Sequence, residues 1–189
     1  MKKKIVSFFL FVFIGFPFFQ AFPQFSGDEE VMMAFRYPAV GSYYISSILN
    51  DQTKQTYLPV TELFNLFQIV YQPDIKNFTI KGNYLSPANP FIINLSAMEI
   101  QLGGKVFPIT PDDFRIGEMD FYLTPAIFEK VFSLIFTVNI DYLTLTLLTE
   151  KKLPVQEKQE RESLRSKMSV QQNQENLPLL YNRKRKIIG

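Results

Sequence analysis

The sequence predicts an α+β fold: two tandem β-α-β-β units with a mainly antiparallel sheet and short helices packed on it, followed by an exposed linker helix. Three features of the sequence predict this fold. One stretch of the chain occurs twice, and each copy carries apolar residues at helical spacing. The remaining apolar runs are short, alternate like strands and are separated by turn residues.

The repeat becomes visible when the sequence is aligned with itself at an offset of 65 residues. YLPVTELFNLFQIVYQPDIKNFTI (57–80) then aligns with YLTPAIFEKVFSLIFTVNIDYLTL (122–145) without a gap. The identical pairs are Tyr57/Tyr122, Leu58/Leu123, Phe67/Phe132, Ile75/Ile140 and Thr79/Thr144. We interpret each copy as a strand, a two-turn helix and a β-hairpin.

The helix of each copy is predicted from an apolar stripe at positions i, i+3, i+4 and i+7. Pro59 and Pro125 lie near the helix starts, where a proline loses no hydrogen bond. Because a two-turn helix is unstable alone, its stripe must pack on the sheet. The two stripes are Leu63, Leu66, Phe67, Val70 and Phe128, Val131, Phe132, Ile135. The expected core residues are Tyr57, Leu63, Leu66, Phe67, Phe128, Val131 and Phe132.

Further strands are predicted around the two copies. They are Ser42–Leu49, Phe91–Leu95, Met98–Leu102 and Lys105–Ile109, with Gly103-Gly104 as a two-residue hairpin turn between the last two. We expect one domain over residues 35–150, with Ser42–Leu49 or Phe91–Leu95 as an edge strand that receives a strand from a partner.

Composition argues against an enzyme. The chain has no Cys and no His, which excludes a thiol nucleophile, a disulfide framework and the commonest general base and zinc ligand. No cofactor is expected. Aromatic residues are abundant, with 20 Phe and 9 Tyr, and they predict a core that packs through rings.

One acidic group offers carboxylate chemistry. It consists of Asp112, Asp113, Glu118 and Asp120. Carboxylates are calcium ligands and, in pairs, the catalytic groups of glycoside hydrolases. The spacing does not match a calcium-binding loop, and no further feature singles out a catalytic pair. We therefore interpret these residues as solvated loop charges and expect no metal.

The N-terminus predicts export. Lys2, Lys3 and Lys4 precede an apolar run from Ile5 to Phe19. This run has the length of a signal-peptide core and is short for a bilayer span. We assign residues 1–26 to a signal peptide and leave the cleavage point open within 21–26, with an uncleaved anchor as the alternative. The expected location is the periplasm or the outer membrane.

The last part of the chain, residues 151–189, has the opposite charge from the body. Residues 28–150 contain seven Lys/Arg and fourteen Asp/Glu, whereas 151–189 contain ten and four. A linker helix is predicted over 153–168. The basic run Arg183, Lys184, Arg185 and Lys186 is a candidate contact with anionic lipid head groups. A solvated charged linker is the alternative, and nucleic acid is not an expected partner of an exported chain.

The order of these features resembles the N-terminal periplasmic region of usher-like outer-membrane proteins of Gram-negative bacteria. The features are an exported start, the units YLPVTELF and DFYLTPAIFEKVFSL, the hairpin GGKVFPITPDD between them, and LPVQEKQERESLR after them. The single unit also resembles the copper amine oxidase N-terminal-like domain, a small β-α-β-β module without copper chemistry.

The resemblance implies a non-enzymatic periplasmic domain that recruits or gates exported protein subunits. In such proteins the following segment enters a transmembrane β-barrel, whereas nothing after Glu150 shows the alternation of barrel strands. The chain is then either a shortened relative or a standalone one. Its expected partners are exported subunits or its own downstream barrel, with a contact to the outer-membrane surface. The alternative function is a standalone cell-envelope module that binds peptidoglycan or another wall polymer.

Overall fold

The computed structural model describes residues 27–118 and 120–175. The predicted signal peptide and the basic run at 183–186 lie outside these residues. The strands are β1 (Asp28–Tyr37), β2 (Gly41–Asn50), β3 (Gln55–Pro59), β4 (Val70–Asp74), β5 (Thr79–Asn83), β6 (Pro90–Asn94), β7 (Glu99–Leu102), β8 (Lys105–Pro108), β9 (Phe114–Ile116), β10 (Phe121–Leu123), β11 (Ile135–Asn139) and β12 (Thr144–Leu148). The helices are α1 (Val60–Phe67), α2 (Pro125–Ile127) and α3 (Pro154–Glu175). The predicted α+β fold is confirmed.

The two copies of the repeat have the predicted order of elements. The first copy forms β3, α1, β4 and β5, and the second forms β10, α2, β11 and β12. In the second copy α2 continues as a π-helical turn over Phe128–Phe132. Both helical segments end at a left-handed residue, Gln68 with φ 60° and Ser133 with φ 58°, which turns the chain sharply into the following strand.

The strands divide between two sheets. The first has the order β11-β12-β1-β2-β3-β10-β9, and the second has the order β4-β5-β6-β7-β8. The hairpin of the second copy therefore joins the seven-stranded sheet, whereas the hairpin of the first copy begins the five-stranded sheet. Among the described strands, β1 and β12 are the parallel pair, and the other pairs are antiparallel, in agreement with the mainly antiparallel prediction.

Strand β1 was not predicted, and it begins at Asp28, before the expected domain start at residue 35. It lies inside the seven-stranded sheet, between β12 and β2. Its buried residues Met33, Phe35 and Tyr37 lie at every second position, as expected of a strand that has one face in the core. The acidic residues at its start conceal this alternation in the sequence.

The predicted central hairpin is present. Gly103 and Gly104 have φ values of 56° and 81°, as a tight turn of type I′ requires at both positions. The turn connects β7 with β8 and pairs Leu102 with Lys105.

The core lies between the two sheets and is shared by both copies of the repeat. Phe132, from the second copy, is fully buried. Its ring centroid lies 5.5 Å from that of Phe64 on α1, 5.8 Å from that of Phe91 on β6 and 5.1 Å from that of Tyr84. The Tyr84 hydroxyl also donates a hydrogen bond to the Phe132 carbonyl oxygen. Neither copy therefore has a complete core of its own.

The predicted linker helix is α3, which continues to Glu175. Leu153 and Val155 are buried where the helix starts, so this end is docked on the domain. From Glu157 to Ser169 the side chains are exposed. Among the described helices, none combines the length and apolar character needed to cross a bilayer.

Candidate binding surface

The predicted core residues lie close to one another between the sheets. Tyr57, Leu63, Phe67, Phe128, Val131 and Phe132 are all buried. Leu66 is half-buried at the rim of a cleft, and Phe64, which the stripe omitted, is fully buried.

The last position of each predicted helical stripe is wrong. Val70 starts β4 and is 74% exposed, and Ile135 starts β11 and is 43% exposed. Both residues follow the left-handed turn that ends the helix, so the helical spacing stops before them.

Neither strand proposed as an edge is the outermost strand of its sheet. Ser42–Leu49 lies within β2, which pairs with β1 over its whole length but with β3 only at Ile48, Leu49 and Asn50. Phe91–Leu95 lies mostly in β6, between β5 and β7. Strand β6 is therefore closed on both sides, whereas the side of Ser42–Ser47 turned away from β1 has no strand partner in the described part of the chain. There the Ser46 N–H donates to the Glu62 carboxylate instead.

Four described strands lie at sheet edges: β4, β8, β9 and β11. Proteins discourage unwanted pairing at such edges with proline, charge or short length. Strand β4 carries Pro73 and Asp74, β8 runs from Lys105 to Pro108, and β9 has three residues. Strand β11 differs from these three because its five residues, IFTVN, include neither proline nor charge.

The direction of the backbone groups in β12 follows from its contact with β1. The Ala34 N–H donates to the Leu143 carbonyl oxygen over 2.8 Å, at the start of the parallel pairing. Backbone groups of successive residues point to alternate sides of a strand. The groups of Leu145 and Leu147 therefore face β1, and those of Thr144 and Thr146 face β11.

The same alternation defines the free side of β11. Thr137 and Asn139 are opposite Thr146 and Thr144, so their backbone groups bond to β12. The N–H and C=O groups of Phe136 and Val138 then point away from β12, to a side where the described chain places no further strand. Two residues of β11 thus present donors and acceptors for one more strand.

Side chains at this edge are apolar on the inner face of the sheet and partly apolar on the outer face. On the inner face the Phe136 ring lies 5.4 Å from the Phe128 ring, and Val138 is half-buried. On the outer face Ile135 is opposite Leu148, which is 51% exposed. An added strand would therefore contact apolar side chains on either face.

The outer face of the seven-stranded sheet carries a shallow hollow. Its volume is about 260 Å³. Tyr44 stands at this hollow with 73% of its surface exposed, and Arg36 lies between Ser42 and Thr146 in the cross-strand register. Within the described part of the chain, Arg36 makes no ion pair. The hollow combines an aromatic ring, hydroxyl groups and one cation.

An acidic cleft lies where the two copies meet. It has a volume of about 480 Å³ and is lined by Glu30, Ser46, Pro59, Thr61, Glu62, Asn65, Leu66, Asp120 and Tyr122. The Asp120 carboxylate accepts hydrogen bonds from the backbone N–H of Thr61 at 2.9 Å, of Glu62 at 3.0 Å and of Phe121 at 2.7 Å. A residue just before the second copy therefore caps the helix of the first.

The acidic group predicted from sequence is not assembled into one site. The Asp113 carboxylate accepts hydrogen bonds from the backbone N–H and the hydroxyl of Thr110. These bonds close a 3₁₀ turn. Asp112 and Glu118 are exposed, as predicted. For Asp120 the assignment to a solvated loop is wrong, since it is partly buried and holds three backbone N–H groups. Within the described residues, no group of three or more carboxylates is arranged to hold a metal ion.

Burial controls ionisation in the cleft. It raises the pKa of the Asp120 carboxyl, outweighing the hydrogen bonds from Thr61, Glu62 and Phe121 that act to lower it. Burial also raises the pKa of Glu62. The hydrogen bond from the Ser46 backbone N–H acts to lower this pKa, and the nearby negative charge of Asp120 acts to raise it further. Both carboxyls therefore take up protons at a higher pH than exposed ones.

No known protein family, curated protein or solved structure matches this chain.

Proposed function

We propose that this chain is a non-enzymatic, exported domain of an usher-like outer-membrane assembly system, in which it recruits or gates exported protein subunits. The subunit provides an extended segment that is added to β11. The observation that supports this proposal most strongly is the outward backbone of Phe136 and Val138 on an edge without proline or charge.

The segment that fits this edge has a defined chemistry. In strand addition the main chain supplies affinity and alternate side chains supply specificity. Residues on one face of the added strand would meet Phe136 and Val138, and residues on the other face would meet Ile135 and Thr137. A segment with apolar residues at alternate positions, and no charge at its centre, fits best.

The basic run at 183–186 gives this domain an orientation. Each cation close to an anionic lipid surface contributes on the order of 1 kcal/mol of attraction. We propose that Arg183–Lys186 contact the inner surface of the outer membrane, while the acidic body faces away from it.

A photo-crosslinking amino acid at position 137 tests the proposed edge. The Thr137 side chain is exposed beside the outward backbone of its neighbours, so a bound segment would lie within its reach. In cells that produce the protein, we expect adducts with exported proteins, identified by mass spectrometry. A crosslinker at position 106 on edge β8 is the matched control, since Val106 is 56% exposed.

Proline variants determine whether these adducts depend on strand addition. Val138→Pro removes an outward N–H and no bond to β12, so it should abolish the adducts and keep the fold. Val106→Pro makes the same change on β8, because the turn pairs Leu102 with Lys105 and leaves Val106 facing outward. Equal adducts at positions 137 and 106, or adducts that persist in Val138→Pro, would contradict the proposal.

The hollow on the outer sheet face supports a second candidate, binding of a wall polymer. A tyrosine offers an apolar ring and a polar tip, and nearby hydroxyls and Arg36 can fix the orientation of a ligand. This candidate predicts that the chain sediments with insoluble peptidoglycan and that Tyr44→Ala or Arg36→Gln reduces the bound fraction. Tyr142→Ala removes an equally exposed ring elsewhere and should change nothing. An equal loss of peptidoglycan binding in all three variants would contradict a site at the hollow.

A further inference from the structure

Strand β11 is complementary to itself. Its outward backbone groups belong to Phe136 and Val138, which are symmetric about Thr137. An antiparallel pair of β11 strands centred on Thr137 places Phe136 of one copy opposite Val138 of the other. In this register every outward N–H and C=O of the two residues finds a partner in the second copy.

The side chains permit the same register. Two Thr137 side chains would meet on the outer face, and Phe136 would meet Val138 twice on the inner face. Such pairs are favourable between neighbouring strands, whereas like charges placed opposite each other are unfavourable. Identical strands carry identical charges, and β11 has none between Ile135 and Asn139. Edges β4 and β8 carry Asp74 and Lys105, respectively.

We propose that two copies of this chain pair through β11 about a two-fold axis, and that this pairing closes the edge until a subunit replaces the second copy. The closing role depends on the proposed function of β11, whereas the pairing itself does not. Two five-residue strands bury far less than the roughly 1,000 Å² of a stable interface. The pair is therefore weak and reversible, with a dissociation constant in the micromolar to millimolar range.

Sedimentation velocity of the full chain over a wide concentration series tests the pairing. We expect the sedimentation coefficient of the wild type to rise with concentration. Val138→Pro should remain monomeric throughout the series, and Val106→Pro should behave as the wild type does. A wild type that stays monomeric, or a Val138→Pro variant that associates as strongly as the wild type, would overturn the proposal.

A second variant covers the case in which Val138→Pro disturbs the fold. Thr137→Lys keeps every backbone group but brings two cations together on the outer face of the pair. It should weaken self-association, and added salt should restore part of it because salt screens exposed charges. Self-association that is unchanged by Thr137→Lys at low salt would contradict a register centred on Thr137.

The crosslinking experiment separates this inference from the proposed function. A monomeric wild type that still forms adducts with exported proteins at position 137 overturns the self-pairing and leaves the subunit site in place. A wild type that associates through β11 without such adducts supports the self-pairing and removes the subunit site.

Discussion

Phe132→Ala is expected to lower the free energy of unfolding by about 3–5 kcal/mol and the melting temperature by on the order of 10 °C. Phe132 is fully buried, and its ring contacts Phe64, Tyr84 and Phe91. These neighbours come from α1, the segment after β5, and β6, so the cavity opens where the first copy, the second copy and the five-stranded sheet meet. Chemical denaturation with a thermal melt measures the loss.

Tyr142→Ala is the matched control for this variant. It removes a ring of similar size, but Tyr142 is 78% exposed in the turn between β11 and β12. We expect its stability to stay within about 0.5 kcal/mol of the wild type. Similar losses in the two variants would contradict a core shared between the repeats.

Asp120→Ala is expected to destabilise the fold by about 2–3 kcal/mol, because partly buried N–H groups lose a carboxylate acceptor. Thr61 and Glu62 would lose the cap of α1, a helix of eight residues. Asp120→Asn keeps an acceptor oxygen without the charge and should cost much less. Denaturant unfolding at neutral pH measures the stability of both variants. An equal loss of stability in the two would show that the hydrogen bonds to Asp120 do not stabilise this junction.

The pH dependence of stability should also differ between wild type and Asp120→Asn. Burial raises the pKa of Asp120 in the folded protein, so the folded state binds more protons than the unfolded state between the usual and the raised pKa. The contribution of this group to stability therefore falls as the pH rises through that window. The wild type should lose more stability from mildly acidic to neutral pH than Asp120→Asn, in which Glu62 alone retains this effect. Equal changes of stability with pH in the wild type and Asp120→Asn would contradict a raised pKa of Asp120.

The local parts of the fold could be predicted from the sequence. The apolar spacing, Pro59 and Pro125 identify the two helices, and Gly103-Gly104 identifies the central hairpin. Each of these signals concerns residues that are close together in the sequence. The order of elements inside each copy was therefore recovered.

Neighbours within the sheets could not be predicted, because they come from distant parts of the chain. Strand β1 pairs with β12 at the other end of the domain, and its second side pairs with β2 over the whole length of that strand. The cap on α1 has the same origin, since Thr61 and Asp120 are 59 positions apart. One local signal was available for β11: it lacks the proline and charge that β4 and β8 carry.

Amide hydrogen exchange in β11, measured by NMR on the dilute full chain, tests the free edge most directly. The Thr137 and Asn139 N–H groups bond to β12 and should exchange slowly. The Phe136 and Val138 N–H groups face outward and should exchange much faster, and this alternation is the result expected of an open edge. Equal protection of all four amides in dilute solution would show that the edge is already covered, and it would contradict β11 as the binding site.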